Sequence, residues 1–370
     1  MIWLLIIPVA IYSVIIFALW FSVRKKNDVQ LPGIIPAIRV SVVVACRNEA
    51  PAINALLESL AAQDYPPGLL EIIIINDNST DRTPVAVSEF ISDDSLQLKK
   101  CFRLINNPFH GKKSAIRYGV EKSTGELILT TDADCTMGPR WVSAMAGFYA
   151  FTGADMILAP VHQRAGVGFV QRFGAFEFAA LQAVTEATAR AGLPVMCNGA
   201  NMGIRRETYL QHAHRLHDEI PSGDDMFLLH SVKGAGGNIR YYGDGAAAVH
   251  TAAAVSAAAL MRQRARWASK AGRYRDPATL TLAAATAACQ AAVTAAAAAS
   301  LFVPSFLPLL ASLLAMRLLP DFLLTRHALK KQEEHLPLPL FIIMDVLYPF
   351  WFVTVGLLSL FPRMREFRGR

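Results

Sequence analysis

A chain of 370 residues can hold one good-sized domain plus extra elements, and with 53% hydrophobic and only 18% charged residues it does not read as a wholly water-soluble protein but as one with membrane segments. The formal charge of +7 raises nucleic acid as a partner, yet the basic residues stand beside apolar segments and in short motifs, so they are read as facing anionic lipid heads and a diphosphate, with no nucleic acid. Cys46, Cys101, Cys135, Cys197 and Cys289 show no C-x-x-C and no metal-ligand spacing, which predicts reduced thiols in a cytosolic domain.

Residues 2–21 are an uninterrupted apolar run without a charge, long enough for a transmembrane helix, followed at once by Arg24, Lys25 and Lys26. No basic stretch precedes the run and no small-residue cleavage site follows it, which separates it from a signal peptide. The basic cluster puts the following domain in the cytoplasm. From residue 38 the pattern becomes strand, loop, helix, repeated. Residues 40–45 predict a strand, Cys46, Arg47, Asn48 and Glu49 a polar turn, and a helix follows to about residue 63. A second strand over 72–75 ends in the polar cluster 76–81, with Pro84 opening a helix at a position that suits proline. A third strand covers 102–105, and His110, Gly111, Lys112 and Lys113 open a further helix. The apolar run from Leu127 then ends abruptly in Asp132 and Asp134, a buried strand delivering its last residues to a polar edge. Alternation with period two puts both carboxylates on one side, where they would hold Mg2+ or Mn2+ with sites left open for phosphate oxygens. D-x-D alone also fits two solvated acids opening a loop, so context decides. Strands alternating with helices predict an α/β fold with a mostly parallel, doubly wound sheet. The polar clusters at Asn48/Glu49, 77–81 and Asp132/Asp134 then share one sheet edge.

The stretches S-V-V-V-A-C-R-N-E, I-I-I-N-D-N-S-T-D, G-K-K-S-A-I and T-D-A-D, in that order, resemble the nucleotide-sugar half of family 2 glycosyltransferases of the GT-A fold. Asn198-Gly199-Ala200-Asn201-Met202-Gly203 with Arg205 and Arg206 is similar to the acceptor-side segment, and Ser222-Gly223-Asp224-Asp225 to the third acidic motif. Gln263-Arg264-Ala265-Arg266-Trp267 matches Q-x-x-R-W, the mark of the membrane-embedded branch that includes cellulose, chitin and hyaluronan synthases and ceramide glucosyltransferase. The resemblance covers roughly residues 38 to 270.

Further along, residues 165–191 predict a long helix whose Phe169, Phe173, Phe176 and Leu181 make a core or membrane-facing stripe. Gly234 to Gly237 lacks the strand and helix of a dinucleotide fingerprint and is read as a turn. An alanine-rich helix from about Thr251, basic over 261–270, suits an amphipathic helix lying on the cytoplasmic leaflet, with the acceptor delivered from the bilayer or passed into it. Residues 278–302, 304–324 and 338–361 are candidate spans, the first mostly alanine, and 326–335 is a charged connector. If all three cross, the basic tail 363–370 ends outside, against the positive-inside tendency, so one segment is expected to be re-entrant or interfacial. Arg317 and Asp345 stand within apolar runs, where a central charge costs roughly 2.5–3.5 kcal/mol. Lining of an acceptor path, helix-to-helix pairing and snorkelling all fit them. The expected division is therefore a transmembrane helix over 1–26, a cytoplasmic domain over 38–250, an interface helix over 251–276, transmembrane segments over 277–362 and a tail over 363–370.

The resemblance implies a GT-A nucleotide-sugar domain between N-terminal and C-terminal transmembrane helices, in the inner (cytoplasmic) membrane. It implies inverting sugar transfer from a UDP-sugar, with Mg2+ or Mn2+, to a lipid or growing glycan. Asp225 matches the catalytic base, with Asp224 beside it on the acceptor side; alternatively Gly223, Asp224 and Asp225 cap a helix beginning at Met226, and both can hold. Asp134 is implied as the metal ligand, Asp132 as a contact to ribose or base, and Asp77 as the reader of the uracil edge. Glu49, Lys112, Gln263 and Arg266 complete the nucleotide-sugar set, with Arg47 or Lys113 as substitutes for Lys112. Trp267 offers a flat face to the acceptor sugar or, alternatively, an aromatic anchor at the membrane interface. The apolar portion has little polar lining, so polysaccharide export would require partner subunits. A catalytically silent nucleotide-sugar-binding scaffold or sensor is the rival of another class, and it leaves the retention of Asp134, Asp225 and Arg266 without a chemical reason.

Overall fold

The structure is a computed structural model that describes residues 2–24, 36–92, 100–217, 219–220 and 222–361. Lys25 and Lys26 of the basic flank, and the tail 363–370, lie outside the described residues. In chain order the elements are α1 (Trp3–Arg24), β1 (Val40–Cys46), α2 (Ile53–Ala61), β2 (Leu70–Asn76), α3 (Thr83–Ser92), β3 (Phe102–Asn106), α4 (Lys112–Lys122), β4 (Leu127–Thr130), β5 (Thr136–Met137), α5 (Trp141–Thr152) and β6 (Met156–Leu158). They continue as β7 (Val161–Arg164), α6 (Phe169–Arg190), β8 (Met202–Arg205), α7 (Arg206–His212), α8 (Asp224–Gly234), β9 (Ile239–Tyr241), β10 (Val249–Ala252), α9 (Ala257–Ala268), α10 (Pro277–Phe302), α11 (Leu307–Lys331) and α12 (Leu338–Leu358). Two compact units result, one of Met1–Lys26, Ala165–Val195 and Ala253–Phe367, the other of Asn27–Arg164, Met196–Ala252 and Arg368–Arg370.

The second of these units is an α/β body around a seven-stranded sheet in the order β3-β2-β1-β4-β8-β6-β9. β1 runs parallel to β2 and β4, and β2 parallel to β3. Their near-continuous Val and Ile content is what strands covered on both faces require, and Val42, Val43, Val44 and Ile72 to Ile75 are fully buried. The sheet is mostly parallel, as expected, with one reversal: β8 is antiparallel to both β4 and β6. β4 is set close against β1 by Gly125, whose N–H donates to Ser41 Oγ at 2.9 Å. A Cβ there would stand 2.5 Å from the Ser41 nitrogen and 2.8 Å from the Val40 carbonyl carbon, so backbone would have to move. Gly125→Ala is expected to cost about 1–3 kcal/mol, read as an earlier thermal melt of the purified protein.

A small sheet, β5-β10-β7, corrects the expected helix from Thr251. Residues 249–252, Val-His-Thr-Ala, pair in parallel with Val161–Arg164, and Val249 and His250 pair with β5, so the ladder holds Thr251 and Ala252 extended and the helix waits for the alanines further on. Helix α9 starts only at Ala257, where Ser256 Oγ accepts from the Ala259 N–H at 3.2 Å.

The first unit contains four helices long and apolar enough to cross a membrane, counted among the described residues: Trp3–Arg24, Pro277–Phe302, Pro304–Lys331 and Leu338–Leu358. The alanine-rich segment is one continuous helix, α10. α11 runs to Lys331, through much of the expected connector, because Lys331 Nζ and His327 both meet Glu186 of α6, at 2.5 and 3.3 Å. Of the readings left open for Arg317, the structure shows helix-to-helix pairing: its guanidinium meets Asp321 at 3.0 Å, Asp345 at 2.9 Å and Gln290 Oε1 at 2.9 Å. α6 packs Phe173 and Phe176 against Leu260, Phe341 and Met344.

Candidate active site

Since β1, β2 and β4 are parallel, their carboxyl ends fall on one edge, and the loops leaving them are stitched together. Asn48 Oδ1 accepts from the Thr80 N–H at 2.8 Å, the Asn48 N–H donates to Ser79 Oγ at 3.2 Å, and the Glu49 N–H donates to Thr83 Oγ1 at 2.8 Å. Asn48 and Asn78 take left-handed φ values of 56° and 57°, which asparagine tolerates better than most side chains. Burial alone would raise the Asp81 carboxyl, but bonds from the Thr83 hydroxyl and from the Thr83 and Ala50 amides hold it below the usual carboxylate range. Asp77 is buried; its Oδ1 accepts from Asn107 Nδ2 at 2.9 Å and from the Gly111 N–H at 2.9 Å. It thus ties the loop that opens α4 to the end of β2, a structural duty that motif reading did not foresee.

That tie places Lys112 at the first turn of α4, where its Nζ donates to Asp132 Oδ1 at 2.5 Å. Burial would lower the Lys112 ammonium, but the carboxylates of Asp132, Asp224 and Asp225 raise it above its usual value, so it stays charged. Two acidic motifs far apart in sequence converge on one cation. Asp225 Oδ2 accepts from the Gly199 N–H at 3.1 Å, and Gly199 O accepts from Thr130 Oγ1 at 2.8 Å, which locks α8 to the end of β4. Lys112, Thr130, Gly199, Asp224 and Asp225 line one small cleft. The helix begins at Asp224, not at Met226 as expected, and Asp224 is not its cap: Gly223 takes that place at φ 89° and no side chain caps it. Both acids therefore sit in the first turn, at the positive end of the helix dipole.

β4 stops at Thr130, and Asp132 to Cys135 form a turn closed by a Cys135 N–H bond to Asp132 O at 3.1 Å. The alternation nonetheless continues: Thr131, Ala133 and Cys135 are buried while Asp132 and Asp134 are partly exposed, so the two acids do share a side. Burial, with Asp132 and Asp134 beside it, pushes the Cys135 thiol well above its usual value, leaving it protonated. None of the five cysteines is joined in a disulfide. Among the described residues no group of three or more His, Cys, Asp or Glu is placed to hold a metal. A single partly exposed carboxylate such as Asp134 suits a Mg2+ or Mn2+ that takes most of its oxygens from a diphosphate and water.

Sequence reasoning missed Asn107, which holds Asp77, and the pair His162 and His250, whose rings meet edge-on at 5.3 Å across β7 and β10. An isolated histidine carries no motif signal; only the pairing of strands brings these two together. Asn201, read as part of the acceptor-side segment, is buried, donating to Pro160 O and Ala247 O and accepting from Trp141 Nε1.

In the first unit, Gln263, Arg266 and Trp267 lie on α9. Within the basic stretch Arg264 and Lys270 are buried, Arg266 is partly exposed and Arg262 is exposed. Arg264 pairs with Glu177 at 2.8 Å. Trp267 and Arg266 are partly exposed, and Glu49, in the β1–α2 turn of the other unit, is also half-buried.

Against known proteins, the model of Glycosyl transferase family 2 matches residues 41–211, and that of Glycosyl transferase family group 2 matches residues 127–358, more than half of the chain. An N-acetylglucosaminyltransferase of Sinorhizobium fredii is 29% identical over 239 residues, 62% of this chain and 56% of the relative. A beta-monoglucosyldiacylglycerol synthase of Nostoc is 34% identical over 154 residues, 41% of this chain and 29% of the relative. The chain thus spans about half of one of these curated relatives and less than a third of the other. A mannosyltransferase of Pyrobaculum calidifontis, solved with GDP-Man and Mn2+, superposes with a TM-score of 0.56 over 93% of this chain and 99% of that one, at 21% identity, which speaks for a shared fold. With the motifs on one sheet edge and the family match spanning most of its length, the chain belongs to the family 2 glycosyltransferases and has a GT-A-like fold with long apolar helices at both ends.

Proposed function

We propose that the protein is an integral membrane, inverting glycosyltransferase that moves a sugar from a UDP-sugar to a lipid-linked or membrane-delivered acceptor, its α/β unit facing the cytoplasm. The observation that carries this reading is the convergence of Asp132, Asp224 and Asp225 on Lys112 at the carboxyl edge of the sheet. Asp225, held by the Gly199 N–H, takes the proton of the acceptor hydroxyl as the new glycosidic bond forms. Lys112 supplies fixed positive charge for the departing diphosphate, Arg266 adds to it, and Asp132 meets the nucleotide's ribose or base. Asp77, Glu49 and Gln263 complete the donor site. Asp134 would hold the Mg2+ or Mn2+, which when bound supplies a Lewis acid for the phosphates. Trp267 and Asp224 take the acceptor.

Two features favour a lipid acceptor. One relative is named for a glycolipid product. The polar groups on the apolar helices, Tyr12, Gln290, Arg317, Asp321 and Asp345, are bonded to one another rather than strung along a path.

The test offers washed membranes containing the protein a panel of labelled UDP-glucose, UDP-galactose, UDP-N-acetylglucosamine and GDP-mannose, with Mn2+ or Mg2+. Label is expected in organic-soluble lipid from a UDP-sugar, to fall more than about tenfold with EDTA and to return with added Mn2+. Label in high-mass polymer would make the chain a processive synthase subunit that borrows a channel from a partner. No consumption of any donor would leave a silent nucleotide-sugar-binding scaffold or sensor.

A further inference from the structure

Q-R-A-R-W contains two arginines, and the enclosed one is Arg264, 3% exposed. Its Nε donates to Glu177 Oε2 at 2.8 Å, its second terminal nitrogen lies 3.5 Å from Gly174 O, and its first donates to Gln263 Oε1 at 2.7 Å. The same guanidinium lies 4.2 Å from the centroid of the Trp267 ring. Glu177, on α6, is buried as well, and its other oxygen accepts from Trp351 Nε1 of α12 at 3.1 Å. One buried ion pair thus fixes two motif side chains: the fork orients the Gln263 amide with its oxygen inward, leaving the NH2 for another acceptor, and the cationic plane holds the indole by stacking.

A buried ion pair adds little stability over well-packed apolar residues, so its use here calls for a reason beyond packing. We propose that Glu177 and Arg264 are positioning residues, which touch no substrate and set Trp267 for the acceptor sugar and Gln263 for the donor. The proposal rests on the reading of Trp267 as an acceptor contact. Glu177→Gln tests it sharply, because one amide cannot accept from both Arg264 and Trp351: whichever way it turns, an N–H faces an N–H. Arg264→Lys keeps the charge and loses both fork and stacking plane.

The experiment has two readouts. With 5-fluorotryptophan incorporated into the full chain, the 19F line of Trp267, identified by Trp267→Phe, is expected to move in both variants, while the lines of Trp3, Trp20 and Trp141 stay. In transfer from the donor the wild type uses to dioleoylglycerol in mixed micelles, each variant is expected to raise the acceptor KM about tenfold through Trp267 and the donor KM by a smaller factor through Gln263. The double variant is expected to add little, since the two residues form one network. If the Trp267 line stays in place in both variants, or if they only melt earlier with an unchanged acceptor KM, the proposal is overturned. A wild type that transfers to no acceptor condemns the functional reading alone, and the 19F lines then decide whether the pair holds Trp267.

Discussion

Asp225→Asn is expected to lower sugar transfer by about 10²–10⁴-fold, the range associated with loss of a positioned general base. The substitution keeps the shape and one acceptor oxygen, but Oδ2 now accepts from the Gly199 N–H at 3.1 Å and Oδ1 from the Met226 N–H at 2.8 Å, so the new NH2 faces one of these amides. The thermal melt and UDP binding of the variant, taken beside its rate, separate loss of the base from that local misfit. Asp224→Asn gives the comparison. Asp224 also bears on the Lys112 ammonium as a charge acting at a distance, so its loss should weaken transfer by no more than about tenfold. Initial rates in membranes at saturating donor, beside the concentration of UDP that protects the protein from proteolysis, separate chemistry from binding. If Asp224→Asn is the inactive variant and Asp225→Asn is not, the base is Asp224. If neither changes the rate, the proton leaves by another group and the edge cluster serves donor binding alone.

The parts of this site that sequence made legible are those where local pattern and chemistry coincide. The Val and Ile runs of β1 and β2 can only be strands covered on both faces, and a parallel sheet then delivers Asn48, Asp77 and Asp132 to one edge whatever the loops do. What was not legible depends on partners distant in the chain. The alanine-rich run that includes Ala252, Ala253, Ala254 and Ala257 to Ala259 suggests a helix from about Thr251, but the ladder with Val161–Arg164 holds Val249 to Ala252 as a strand. The start of α8 was displaced from Met226 to Asp224 by the left-handed backbone of Gly223, a property no periodicity reveals. The motif assigned Asp77 a nucleotide contact, yet the geometry also commits its carboxylate to Asn107 and Gly111. In Q-R-A-R-W the residue that burial singles out, Arg264, stands where Q-x-x-R-W specifies no residue, and its partner Glu177 lies 87 residues earlier on a helix read for its phenylalanines.

Arg317→Ala is expected to be the most destabilising single change in the apolar unit, by about 3–5 kcal/mol, because it leaves two buried carboxylates without their cation. Arg317 is 1% exposed, and its guanidinium bonds Asp321 on its own helix, Asp345 on α12 and Gln290 on α10, while Tyr12 of α1 donates to Asp321 Oδ1 at 2.7 Å. Four helices therefore meet at one cation, and its removal should loosen all of them together. The distinguishing variant removes the acids along with the base. In Arg317→Met, Asp321→Asn, Asp345→Leu combined, no uncompensated charge remains and Tyr12 keeps an acceptor, so much of the lost stability should return. Thermal melts of the detergent-purified protein, followed by the monodisperse fraction on gel filtration, read both. If the combined variant melts as early as Arg317→Ala, the directed bonds among the four helices, and not the relief of stranded charge, are what the cluster contributes. If Arg317→Ala melts with the wild type, the carboxylates have found other partners and the cation does not hold the helices. Either result bears on the acceptor: a cluster that serves only to hold helices leaves no polar path through the apolar unit, and the lipid reading gains accordingly.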